Sequence, residues 1–568
     1  MHMSTRRMAW PLAHAVMAVI ALAGCGTKAG EGGRMDGSGG ASEVTPIAPG
    51  DPTANRMGIN IGAASYYDAG RMFADMMVTA YRLSTGNVDE NGWPLDGAFT
   101  VDVSADRGLL NGTYTLYFQG RATSVSGGDG VTGLSYDAGK NQSTAKVQVN
   151  DAGVVHLPVR FVGATRNDGT GRAGATKIRL MRPLTPGSAT SYAETELFTQ
   201  QLAALVQKFQ VVRFMDFLAT NWSQQRVWAD RTLPTTAFWG RDTAPAYHDT
   251  TYGGGQWGWQ GRGGPYEYAI LFANAMKRDA WINLPAGADD DYVQRVAQMF
   301  LYGSDGKNPY ASPQANPVFP PLAPGLRLYV EYSNEVWNGS FGVQFNMNID
   351  LAQAEVAAGN SPLDFDKAGA NKWELGYRRM AKRGVEISKI FRSVFGDAAM
   401  MTRVRPVYMS QAYNAWVGFQ GLRLLHGYYN NGEGDFVSDP HPPSYYFYGA
   451  GGAAYYNPDN NSGSLTVDNI WDSFSMSVAT WSGSVMDQGF VPGVWNVAAL
   501  GVKSVAYEGG PDMYYTGSGE AAKAAAWGDP RMADSVVGHH EAWSSFGGDV
   551  LVYFTAARPG TTGTSGRS

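Results

Sequence analysis

Two glutamates stand out by where they fall. Glu335 lies in Tyr332-Ser333-Asn334-Glu335-Val336-Trp337-Asn338, directly after the apolar run 326–331. Glu508 opens Glu508-Gly509-Gly510-Pro511 after the apolar run 502–507. Each carboxylate leaves a strand-like segment into polar or glycine-rich sequence. About 170 residues separate the two, so no local element joins them. Two carboxyl groups on one cleft can divide proton transfer and nucleophilic attack between them. Taken singly, a glutamate at a strand end is more often a cap or an ion-pair partner, and Glu331, earlier on the same run, reads as structural. Asn283 closes the apolar run 280–285 and offers an amide to a ligand or to the backbone. Trp337, Trp222 and Trp259 offer indole faces for stacking or for packing. His441 and Tyr446 flank the aromatic stretch 445–448, where they would contact Glu508 or a ligand, or make ordinary hydrogen bonds.

The elements that must position these groups follow a rhythm. Strand-like runs fall at 57–67, 211–218, 280–285, 326–331, 403–409, 445–448, 502–507 and 550–554. Helical patterns precede most of them, at 197–209, 266–278, 289–301, 373–395, 421–429 and 535–545, and one follows the first strand at 72–83. Eight strands alternating with helices predict a parallel (β/α)8 barrel, an α/β fold whose chemistry sits at the carboxyl ends of the strands. Such a barrel brings Glu335 and Glu508 to one rim. Between Phe99 and Pro183 the texture is different. Tyr114, Leu116 and Phe118 share one face, Val147 and Val149 alternate with polar residues, and so do Ile178 and Leu180. These short alternating runs predict an inserted small β-sandwich. The expected organisation is a signal peptide (1–25), a flexible tether (26–56), a first βα unit (57–95), the inserted sandwich (96–185), the rest of the barrel (186–557) and a polar tail (558–568). No eighth helix follows the last strand, so closure must be completed by other means, for which the sandwich is one candidate.

The strand-end pair resembles the clan of retaining (β/α)8 glycoside hydrolases that includes cellulases and mannanases, in which Asn-Glu ends the fourth strand and a second Glu ends the seventh. More narrowly, GLRLYVEYSNEVWN at 325–338, RFMDFLATN at 213–221 and AGADDDY at 286–292 resemble bacterial secreted proteins described as cellulose-binding or cellulase-like. The resemblance runs from about Met57 onward. It implies that Glu335 is the acid/base, Glu508 the nucleophile, Asn334 the partner of a sugar 2-hydroxyl, and Arg213 the cation that keeps Glu508 ionised. Trp337, Asn283, His441 and Tyr446 would be further substrate contacts. A retaining enzyme sets its carboxyls about 5–5.5 Å apart, and the acid needs a raised pKa that the neighbouring charge favours. The implied activity is hydrolysis of a β-glucan or mannan type of polysaccharide or oligosaccharide. The competing reading is a non-catalytic carbohydrate-binding lipoprotein with a decayed cleft; a purely structural lipoprotein has no feature in its favour beyond the signal. One departure from the clan is the eighth strand, which ends in Tyr553 and Phe554 where a sugar-stacking tryptophan is common.

Composition narrows the field further. The 568 residues carry 44 basic and 50 acidic side chains, a net charge of −6, with 72 glycines and 12% aromatics. A nearly neutral chain without a basic stripe is not a nucleic-acid binder, and this aromatic content argues against wholesale disorder. One cysteine excludes disulfide scaffolds and cysteine-rich metal sites. That cysteine, Cys25, ends Leu22-Ala23-Gly24-Cys25 after a basic start (Arg6, Arg7) and the short apolar run 15–24. This resembles the bacterial lipoprotein signal, which implies lipidation of Cys25 and a mature chain anchored in the cell envelope, at the outer membrane because Gly26 follows; the lipid would be the only membrane contact. Other motifs fail. Gly253–Gly258 has dinucleotide-like glycine spacing but follows no strand. His540-Glu541 lacks the second histidine of a zinc-protease helix, since 544 is serine. Asp289–Asp291 reads as a helix start, not a calcium loop, and His248, His441, His539 and His540 are too dispersed for a metal. No metal or cofactor is expected.

Overall fold

The computed structural model describes residues 56–63, 72–80, 82–105, 107–239, 262–412, 414–456, 466–472, 500–511, 520–545 and 547–554. Cys25, residues 26–55 of the expected tether, His248, Gly253–Gly258, Trp259 and the polar tail lie outside these residues, whereas Arg56, expected as the last residue of the tether, opens the first strand.

Eight parallel strands close a barrel: Arg56–Asn60, Val211–Arg213, Asp279–Leu284, Leu328–Tyr332, Val404–Met409, Gly449–Gly451, Lys503–Ala506 and Gly548–Tyr553. The third, fourth and fifth are buried at every position, as strands with both faces covered must be. Closure is made by backbone pairing alone: the eighth strand pairs with the first (Met57↔Leu551) and with the seventh (Ser504↔Gly548). Inside the barrel Trp281, Tyr329, Val407, Val505, Tyr507, Val550 and Val552 fill the lumen, so it is a packed core.

Helices cover the outside, and their starts follow local chemistry. Asp289 accepts from the Tyr292 backbone N–H and begins helix Asp290–Tyr302, so the run of aspartates is a helix start. Asn371 and Glu374 form a reciprocal capping box at the head of Lys372–Phe395. Tyr266–Met276, Ala415–Leu424 and Arg531–Ser545 complete most of the expected set. Gly342–Ala357 is an additional helix directly after the Glu335 turn.

Between the first and second barrel strands, two four-stranded antiparallel sheets stack into a sandwich. One has the order 82–83, 99–104, 156–162, 124–127; the other 130–137, 142–149, 112–119, 176–181. Tyr114, Leu116, Phe118, Val147, Ile178 and Leu180 are all at or near zero exposure between the sheets, as their alternation predicts. Phe99 and Phe161 sit opposite each other across two strands and stack at 4.6 Å.

Three local expectations depart from the structure. The segment expected as a helix at 72–83 is extended apart from one 3-10 turn, Met77–Thr79. The Asp75 carboxylate accepts from the backbone N–H groups of Met77 and Leu180, which ties the segment to the sandwich edge; side-chain capture of backbone donors competes with helix here. The second strand ends at Arg213, and Phe214–Leu218 turns away through a Leu218 N–H to Phe214 carbonyl bond. The sixth strand is Gly449–Gly451, directly after the aromatic stretch 445–448 expected to form it.

Candidate active site

The site is built from strand ends. Arg213 closes the second strand with no exposure. Its guanidinium grips Glu331 of the fourth strand in a fork, Nη2 to Oε2 at 2.8 Å and Nε to Oε2 at 3.1 Å. The remaining donors reach Asn60 Oδ1 of the first strand at 3.2 Å and Asn334 Oδ1 at 2.8 Å. Trp281 of the third strand donates its indole N–H to Glu331 at 2.8 Å. Burial works against the charge on Arg213, but Glu331 and then Glu508 more than restore it and hold the guanidinium above its ordinary range. Glu508 itself stands off, with Nη1 to Oε2 at 3.7 Å. Arg213 therefore does lie beside Glu508, as expected, but its hydrogen-bonded fork belongs to Glu331, which reaches it from the fourth strand across the width of the third.

Past the fourth strand the chain turns sharply. Ser333 and Glu335 both adopt left-handed backbone, at φ 53° and 42°, a conformation that costs of order 1–3 kcal/mol per non-glycine residue and collects at functional sites. The turn is held by Ser333 N–H to Leu284 carbonyl and Asn338 N–H to Glu335 carbonyl, both 2.8 Å. It presents the half-buried Glu335 carboxyl, whose two oxygens accept separately from the Tyr507 hydroxyl at 2.5 Å and the Asn338 amide at 2.8 Å. Asn334, buried beside it, gives one amide hydrogen to Asn221 Oδ1 at 3.0 Å.

Glu508 follows the seventh strand and is 8% exposed. Its carbonyl accepts from the Ala454 N–H at 2.7 Å, and the side chain of Tyr455 hydrogen-bonds its carboxyl. Burial foremost, then the charge of Glu335, push the Glu508 carboxyl up to about 8, with Arg213 opposing. This differs from a Glu508 kept ionised by Arg213: at 3.7 Å, without a hydrogen bond, the cation does not outweigh burial and a second carboxylate.

The other candidates divide. Trp337 is partly buried and packs on both the barrel lumen and the outer core. Trp222, at φ 61°, meets Phe341 edge-on at 5.3 Å and takes Gln344 Oε1 on its backbone N–H. Asn283 is buried and donates to the Ser333 carbonyl at 2.6 Å, so it braces the Glu335 turn from behind. Tyr553 is half-buried, with its hydroxyl 3.4 Å from His540 Nδ1. His441 and Tyr446 are not in the site. They precede the sixth strand and so lie at the opposite mouth, where His441 stacks on Tyr445 at 3.7 Å and bonds Asp439. The expected strand at 445–448 would have contained Tyr446, while His441 precedes the strand on either placement. The residues that the sequence reading missed are Tyr507, Tyr455, Asn60, Asn221 and Asn338. Asn60 and Tyr507 carried a usable signal, each being a polar-tipped residue at the end of a buried strand.

Fold and site together define a (β/α)8 barrel with two facing carboxyls on its carboxyl-end rim. No family model and no curated protein matches the chain. Among solved structures it is similar to a GH51 arabinofuranosidase from Xanthomonas axonopodis pv. citri, at 13% identity and TM-score 0.36, covering 63% of this chain and 60% of that one. It is also similar to a hyperthermostable endo-1,4-beta-D-mannanase from Thermotoga petrophila, at 11% identity and TM-score 0.25 over 61% and 80% of the two chains. A third is a Paenibacillus polymyxa xyloglucanase from glycoside hydrolase family 44, at 12% identity and TM-score 0.23 over 54% and 62%. The chain spans about 60% of the length of the first of these. The strand pairing, not these distant likenesses, is what defines the barrel.

Proposed function

We propose that this protein is a retaining β-glycoside hydrolase acting on a polysaccharide or oligosaccharide of the β-glucan or mannan type. The observation that carries the reading is that Glu335 and Glu508 follow strands of one rim near enough for the charge of Glu335 to act on Glu508, with Tyr507, the residue before Glu508, hydrogen-bonded to Glu335 and Arg213 3.7 Å from Glu508. In the first step a Glu508 carboxylate oxygen attacks the anomeric carbon as the bond to the leaving oxygen breaks, and Glu335 gives that oxygen its proton. In the second, Glu335 takes a proton from water, whose oxygen attacks the anomeric carbon and releases Glu508. Both steps need one proton shared between two carboxyls. Burial places that proton on Glu508 in the free protein, so the productive complex is the one in which it has passed to Glu335. Asn334 would hold the sugar 2-hydroxyl, using the Nδ2 hydrogen that it does not give to Asn221.

Labelling with a panel of activated 2-deoxy-2-fluoro glycosides, followed by peptide mass mapping, tests the assignment. A tag on Glu508 is expected; a tag elsewhere, in a protein with verified turnover, overturns it. Binding to insoluble glycans with no labelling and no turnover would leave the non-catalytic alternative in its place. We also propose that Cys25 is lipidated and holds the mature chain at the cell envelope, at the outer membrane. Metabolic labelling with a fatty-acid probe should mark the wild-type chain and not Cys25→Ala.

A further inference from the structure

Glu335 is held in a way that a proton donor to a leaving group does not by itself require. Both of its carboxyl oxygens are occupied by protein donors, one by Asn338 from its own turn and one by Tyr507 from across the barrel. Tyr507 is 1% exposed. Its ring lies in the lumen against the Arg213 guanidinium, whose carbon is 5.1 Å from the ring centroid. Burial, then the charges of Glu335 and Glu508, raise its hydroxyl well above the ordinary tyrosine range, so it remains a neutral O–H donor at any working pH. A buried donor aimed at one carboxyl oxygen favours the ionised over the protonated acid and fixes the rotation of the carboxyl plane. Tyr507 is also the residue immediately before Glu508, so one strand end carries the nucleophile of the proposed reaction and the group that governs the proton on its partner.

We propose that Tyr507 is a positioning residue that sets both the orientation and the proton affinity of Glu335. This rests on the reading of Glu335 as the acid/base. In the resting protein the Tyr507 hydroxyl donates to Glu335 and the pair's proton stays on Glu508; when Glu335 takes up that proton, the same hydroxyl oxygen is placed to accept from it. The other charged or titratable groups around this point are Glu508 from the seventh strand, Arg213 and Asp216 from the second strand and its continuation, Glu331 from the fourth, and Tyr455 after the sixth. From across the barrel, it is the Tyr507 hydroxyl that donates directly to the Glu335 carboxyl, at 2.5 Å.

The test is Tyr507→Phe in the full chain, which keeps the ring and removes the hydroxyl. On an unactivated glycan kcat should fall by about 10–100-fold with KM changed less than about twofold, and the loss should shrink on aryl glycosides whose leaving group needs no proton. The basic limb of the kcat/KM profile should move up by about one pH unit, since the lost bond stabilised the ionised carboxyl. A structural role alone would not move that limb. Independently of activity, the carboxyl carbon resonance of Glu335 in protein labelled at glutamate should titrate at higher pH in the variant. If that titration is unchanged, the inference is overturned, whatever the glycan assays show. If it shifts while no glycan is turned over, the control of Glu335 stands and the hydrolase reading falls. Should Tyr507→Phe fail to fold, 3-fluorotyrosine at 507, a stronger donor of nearly the same shape, should move the Glu335 titration the opposite way; no movement overturns the inference equally.

Discussion

Arg213 closes a fork on Glu331 at 2.8 Å and leaves Glu508 at 3.7 Å. One cation thus serves two carboxylates unequally. Glu331 is its hydrogen-bonded partner in the barrel wall, while Glu508 feels its field at a longer distance.

Glu331→Gln should therefore cost stability first and chemistry second. Removing one partner of a buried pair leaves the other charge uncompensated, a loss of about 3 kcal/mol. Denaturant unfolding should show a lower midpoint with an unchanged slope. A midpoint within error of wild type would mean that Asn60, Asn334 and Glu508 suffice to hold the guanidinium.

On the proposed function, hydrolysis should fall as pH rises through about 8, where the Glu508 carboxyl gives up the proton that the reaction must pass to the leaving group. It should also fall in acid, where both carboxyls are protonated and no nucleophile remains. A kcat/KM profile still rising at pH 9 would contradict this.

Glu508→Gln should stabilise the fold at neutral pH. The folded-state carboxyl titrates near 8 against an ordinary value of 4.5. Between those values the unfolded chain releases a proton that the folded chain keeps, so wild-type stability declines as pH rises across that window. The neutral amide has no such decline, and the gain should reach about 2–4 kcal/mol near pH 7.5 and vanish near pH 4.5. Thermal melts of both proteins at the two pH values give the comparison, and equal melting differences at both would refute it.

Most of the barrel could be read from hydrophobic runs, since strands covered on both faces must be apolar along their length. The sixth strand could not. Gly449-Ala450-Gly451 has no side chain to betray it, and the adjacent Tyr445–Tyr448 carried the stronger β-signal. That slip put Tyr446 inside the barrel wall, whereas His441 precedes the strand on either placement. At the site, Glu335 and Glu508 were legible because each follows an apolar run, whereas Arg213 and Asn334 came from the resemblance, the expected second strand having placed Arg213 within its length. The fork between Arg213 and Glu331 was not legible, since which carboxylate a buried cation chooses depends on side-chain direction across strands. Nor could the clamp by Tyr507 and Asn338 be read, because it depends on the left-handed turn at Ser333 and Glu335.

The glycines of the sixth strand are required by contact. A Cβ on Gly451 would lie 2.0 Å from the Val505 carbonyl oxygen of the neighbouring strand. Gly451→Ala should cost at least about 3 kcal/mol, because backbone rather than a flexible side chain must move. A melting temperature equal to wild type would count against the placement of this strand.

His441→Ala should leave kcat/KM within about twofold, as expected of a half-exposed side chain at the far mouth. A loss of tenfold or more in steady-state assays would place His441 at the chemistry after all.

The seam between the first and eighth strands has a temporal meaning. Met57 and Leu551 pair although they stand at opposite ends of the described chain, a contact of very high sequence separation and hence slow to form. Asn60, which helps hold Arg213, lies on that first strand. A nascent chain that has reached Tyr507 and Glu508 already contains every group of the cleft, yet has no closed ring to fix their spacing. The spacing of the cleft groups is therefore fixed as a single late event, with the last strand, and not by gradual accumulation of parts.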